Sequence, residues 1–151
     1  MRGITLLILW TAAAAGMAEE APGGPMTQQR LHEIVAATGS DVRVEGNVAA
    51  FRFGEVAMLC ISDPNADRMR IIAPVKRVEE ASTEEIFAAM QANFHTALDA
   101  RYAISQGVIY AAFIHPLSPL TAEQVVSAIR QVASARATFG ESYSGGMLFF
   151  R

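Results

Sequence analysis

"FIHPLSPLT", residues 113–121, is the stretch on which the fold turns. It sets His115 close to Ser118 after an apolar run, so it reads either as a base beside a nucleophile or as a joint between a strand and a helix. The apolar alternation before it, "VIYAAFI", stops at Ile114. Pro116 and Pro119 lack the N–H that a strand ladder needs, and they stiffen the crossing. Thr121 with Gln124 three residues on is a capping box, the mark of a helix start. No orienting acid stands beside the His115–Ser118 pair in sequence. The stretch is therefore a joint.

Working outward from it, a helix runs from about Thr121 to Ala137, with Val125, Val126, Ile129, Val132 and Ala133 as its apolar stripe. Upstream, "DARYAIS" and "VIYAAFIHPL" form a hairpin around Gln106-Gly107. Before that, Ser82 and Glu85 make a second capping box, opening a helix whose apolar face carries Ile86, Phe87, Met90 and Phe94. Three main strands precede this helix. The first is "DVRVEG" with "NVAAFRF", which ends at a turn on Gly54-Glu55; "VAMLCIS" and "RMRIIAPVKRV" follow. In the last of these, Arg68, Arg70 and Ile72 share one side and Met69 and Ile71 the other. A first helix starts near Thr27, repeats Leu31, Ile34, Val35 and Thr38 on one face, and stops at Gly39. The order is helix, three antiparallel strands, helix, two strands, helix. That describes a single α+β domain over residues 27–139. Residues 140–151, with "SYSGGMLFFR", form a C-terminal tail that is either a short edge strand or a docked segment.

The other end has a different character. Arg2, the apolar run "ITLLILWTAAAA" and the small residues of "GMA" give residues 1–18 the three-part pattern of a secretory signal. The run is too short for a membrane span, which needs about 20 apolar residues. Cleavage is expected after Ala18, with the sites one to three residues earlier as alternatives; it leaves "EEAPGGPM", residues 19–26, as a flexible linker, and a periplasmic or secreted chain with no membrane span. Loss of Arg2 takes the 12 Lys+Arg to 11 against 15 Asp+Glu, a formal charge of −4. That balance gives no reason to bind nucleic acid. The single cysteine, Cys60, has no partner for an internal disulfide, and it shares a strand face with Val56 and Met58, so it reads as a core residue.

The search for chemistry yields little. His32, His95 and His115 lie in different elements, none with a second ligand at metal spacing, so no metal is expected. "DPNAD" lacks the glycine and closing glutamate of a calcium loop. Glu79, Glu80, Glu84 and Glu85 cluster where the positive end of a helix stabilises them. With no glycine-rich phosphate loop, no cofactor is expected. Two polar groupings stand out. Arg68, Arg70 and Arg77, with Lys76, can bind a carboxylate or a peptide backbone; the same charges also suit a soluble sheet face or a guarded edge strand. His95, Asp99 and Arg101 make the alternative, a small envelope enzyme, provided that they converge in a pocket.

The order of elements, together with "AMQANFHTALDARYAIS", "FRFGEVAMLCIS" and "HPLSPLT", resembles the YbjN family, whose fold is like that of the type III secretion chaperones. The resemblance covers residues 27–139. It implies a compact domain that pairs as a homodimer, binds a protein or peptide, and has no catalytic residues to carry over. The expectation is thus an exported, non-enzymatic binding module.

Overall fold

The turn at Gly46-Asn47 organises the first half of the molecule in the computed structural model, which describes residues 24–146. Gly46 has φ +58, a left-handed conformation that glycine adopts without a Cβ penalty. It folds "DVRVEGNVAAFRF" back on itself, so four strands precede the second helix where the sequence suggested three. The alternation of apolar residues continues across the turn, which hid it. The elements are α1 (Gln28–Thr38), β1 (Ser40–Glu45), β2 (Val48–Phe53), β3 (Val56–Asp63), β4 (Arg68–Arg77), a 3-10 turn (Val78–Glu80), α2 (Thr83–His95), β5 (Arg101–Ser105), β6 (Val108–His115) and α3 (Ala122–Ala137). The class is α+β, as the sequence indicates, with the helices where it put them.

The strands form one antiparallel sheet in the order β1-β2-β3-β4-β6-β5. Its two faces differ because side chains alternate along each strand. One face carries Phe51 opposite Met58, Ala49 opposite Cys60, and Cys60, Ile71 and Phe113 in a row. All six are buried. Leu31 and Val35 of α1 and Val125, Ile129 and Val132 of α3 complete this core. Each large apolar side chain buried there contributes about 1.5–3 kcal/mol.

Both capping boxes form as the sequence predicts: Ser82 with Glu85 at α2, and Thr121 with Gln124 at α3. The joint at 113–121 is pinned from outside. Ser118 donates from its backbone N–H to Oδ1 of Asp67 (2.7 Å) and from its hydroxyl to Oδ2 (2.9 Å). These bonds hold the Asp67 carboxyl below its usual range. Leu117 and Leu120, to either side, are buried. Ser118 is therefore a latch on the β3–β4 turn. His115 gives its Nδ1 to the carbonyl of Pro116 (2.8 Å).

Met26, at the end of the expected linker, is buried and donates its N–H to the Ser118 carbonyl (2.9 Å). In the expected tail, Tyr143 packs on Tyr102 and Phe139, and the Gly145 N–H reaches the Thr96 carbonyl (3.0 Å), so residues 140–146 are docked without forming a strand. The signal segment, most of the linker and residues 147–151 lie outside the described residues.

Candidate functional site

Helix α2 presents the chief departure from the sequence reading. The face expected to be buried, with Phe87, Met90 and Phe94, points to solvent; these residues are 66, 61 and 88 % exposed. Ala89 and Ala92 are the buried residues instead. The reason lies in the strand order. Because β5 pairs outside β6, it forms the edge of the sheet, and α2 sits over that edge. A helix there has sheet beneath only part of its circumference, and small side chains let it lie close. Its position is fixed by polar contacts: Lys76 Nζ donates to both oxygens of Glu85 (3.0 Å each), and Asn93 bonds the backbone of Tyr102.

Between α2 and β5 runs an apolar groove of about 290 Å³, lined by Ile86, Met90, Tyr102, Ile104 and Ile109 among others. Ile104 is 55 % exposed at its rim. Exposed Met90 and Ile104 border this groove, and exposed Phe87 and Phe94 lie on the same helix, α2. Contiguous apolar surface of this kind marks interaction sites. Periodicity located these side chains but not the direction they face, since the helix has an apolar arc wider than its contact with the sheet.

The arginine group is elsewhere. β4 lies inside the sheet between β3 and β6, which removes the reading of its charges as protection of an edge. Arg68 and Arg70 stand on the face opposite the core, with Arg70 between Ile61 and Ile114. A bulge between Pro74 and Lys76 shifts the alternation. It turns Lys76 to the helix side and returns Arg77 to the open side, where its Nε contacts Glu79 (2.7 Å).

The alternative grouping does not assemble as expected. Asp99 and Arg101 line a polar cleft of about 340 Å³ together with His115, Gln124 and Gln131. His95 is not among its lining residues; it is exposed at the end of α2, edge-on to Phe94. The cleft's buried polar residue, Gln131, is fully engaged in structure. Its Oε1 accepts from the N–H groups of Asp99 (2.9 Å) and Ala100 (3.1 Å). Burial pushes the Cys60 thiol up to about 12, so it is no nucleophile at neutral pH. Among the described residues no group of three His, Cys, Asp or Glu side chains is placed to hold a metal.

No family model matches the chain, and no curated protein sequence matches it. Solved structures do. A chain of the HopA1-SchA chaperone-effector complex matches with a TM-score of 0.57 at 9 % identity, over 72 % of this chain and 88 % of that one. A chain of the ExsC-ExsE complex matches with a TM-score of 0.56 at 14 % identity, over 72 % and 86 %. At such identities the likeness is one of fold. The fold is that of the type III secretion chaperones.

Proposed function

We propose that this chain is an exported, non-enzymatic protein-binding module, related to the YbjN family, which pairs with a second copy of itself through α2 and β5. The observation that carries the proposal is the outward apolar face of α2, with Phe94 88 % exposed beside the groove that Ile104 borders. Left uncovered, that surface favours aggregation, and a twofold contact lets one patch cover its own copy. Two further points support the reading. Structures of like fold are found in complexes of two proteins. The polar residues available for an enzyme are divided between a surface helix end and a cleft. The signal-like residues 1–18 support export.

A photo-crosslinking amino acid placed at position 94 tests the reading in the periplasm. The expected product is a crosslinked pair of this chain, with Glu19 at the N-terminus. A chain that keeps residues 1–18 overturns export, and one that crosslinks only to other proteins overturns the self-pairing.

A further inference from the structure

Among the described residues no helix packs on the sheet's second face, and apolar and arginine side chains share it. Register places Arg43, Ala50, Leu59, Ile72, Ala112 and Arg101 in one row across all six strands. The neighbouring row runs Val48, Ile61, Arg70, Ile114. On the other side Pro74 and Tyr110 stand paired. None of these residues belongs to the core cluster. The centre is apolar, with Ala112 6 %, Leu59 37 % and Ile114 58 % exposed, and a groove of about 380 Å³ crosses it between Arg43 and Tyr110.

Arginines surround this centre. Arg52 is already held by Glu55 (3.4 Å) and Arg77 by Glu79, whereas Arg43, Arg68, Arg70 and Arg101 have no carboxylate within 4 Å among the described residues. Of the acids on this face, Asp63 stands opposite Arg68, Glu45 closes β1, and Asp41 lines the groove at its β1 end beside Arg43. A guanidinium beside apolar surface gains most from a carboxylate that arrives with an apolar neighbour. In a chain of formal charge −3, this face is the place where cations gather.

We propose that the open sheet face docks an acidic amphipathic helix of a partner protein, its apolar stripe on Leu59 and Ile72 and its carboxylates on Arg43, Arg70 and Arg101. The proposal rests on the reading of the chain as a protein-binding module and gives the chemistry of its partner. The helix follows from the backbone: on a sheet face the ladder groups are already paired, so an extended segment finds no hydrogen bonds there. Both edges are also blunted. A bulge interrupts β1 between Ser40 and Arg43, and Asn93 occupies the backbone of Tyr102 on β5. A second copy fits poorly, because like guanidiniums then meet across the contact. A lipid surface fits poorly too, since a bilayer is wider than the face and also meets the acids at its ends, Glu45 and Asp63. Six strands span about 24 Å at about 4.8 Å per step, which about 16 helical residues cover.

The probe is a synthetic 18-residue helical peptide with leucines at i, i+3, i+4 and i+7 spacing flanked by glutamates, labelled for fluorescence anisotropy and titrated with the full purified chain. A control keeps the leucines and carries lysines for glutamates. The acidic peptide is expected to bind at least about tenfold more tightly than the control, and binding is expected to weaken with salt. Arg70→Glu and, separately, Arg43→Glu are expected to cost about tenfold each while the circular dichroism spectrum is kept. Gln29→Ala, at an exposed position of α1 on the helix side of the sheet, is expected to leave this binding unchanged. Equal binding of the two peptides overturns the proposal, as does loss through Gln29→Ala in place of Arg70→Glu. So does a change of oligomeric state in Arg70→Glu, or preferential sedimentation of the chain with phosphatidylglycerol vesicles. A chain that self-pairs through α2 but binds neither peptide refutes this inference and leaves the self-pairing standing.

Discussion

The carboxamide of Asn93 closes two hydrogen bonds on the backbone of Tyr102: its Oδ1 accepts from the Tyr102 N–H (2.7 Å) and its Nδ2 donates to the Tyr102 carbonyl (3.0 Å). One helical side chain thereby takes the place of a neighbouring strand at the sheet's edge. The contact ties α2 to β5, and it removes one pair of backbone groups from the template that an open edge offers.

Asn93→Ala is therefore expected to do two things. It loses two hydrogen bonds beside a buried tyrosine, a cost of about 1–3 kcal/mol in urea unfolding. It also frees the β5 edge, so light scattering at high concentration is expected to rise above that of the parent chain. A variant that loses stability without added association shows the edge to be shielded by something else.

Gln131→Met keeps the side-chain length but strips the acceptor from two N–H groups, one on Ala100, which is fully buried. The expected loss is about 2–4 kcal/mol by equilibrium unfolding. Glu123→Ala, on the exposed start of α3, is expected to cost less than about 1 kcal/mol. Equal effects contradict the structural role assigned to Gln131.

Cys60 gives a pH dependence with a definite sign. Burial raises its thiol from 9.0 in the unfolded chain to about 12 in the native one. Above about pH 9 the unfolded state releases a proton that the native state retains. The contribution is complete below pH 9 and is lost as pH rises toward 12. The urea midpoint of the parent chain is expected to fall more steeply between pH 8 and 10 than that of Cys60→Ala. At pH 8 a thiol reagent is expected to label Cys60 only in denaturant; rapid labelling of the native chain contradicts its placement in the core.

The sequence carried most of the local structure and little of the long-range order. Thr121 with Gln124 and Ser82 with Glu85 announced two helix starts because a capping box is complete within four residues. Val56, Met58 and Cys60 revealed a buried strand face by alternation alone. Gly46-Asn47 escaped notice because the apolar alternation runs on through it, and only the pairing of Val44 with Ala49 marks the reversal. The position of β5 outside β6, and of β4 inside the sheet, depends on pairings between distant residues that no local pattern encodes. From that order follow the outward turn of Phe87, Met90 and Phe94 and the bare face on which Arg68 and Arg70 stand. For the same reason Asp99 and Arg101 meet His115, which is remote in sequence, while the nearer His95 stays apart.

Self-pairing through α2 is tested most directly by sedimentation equilibrium of the purified chain beside Phe94→Asp. Phe94 is so exposed that its replacement leaves the monomer's core intact, which circular dichroism verifies. The expected result is a parent chain at twice the monomer mass at low micromolar concentration and a Phe94→Asp chain at the monomer mass, with Phe87→Asp behaving alike. A parent chain that sediments as a monomer, or a Phe94→Asp chain that remains a dimer, contradicts it.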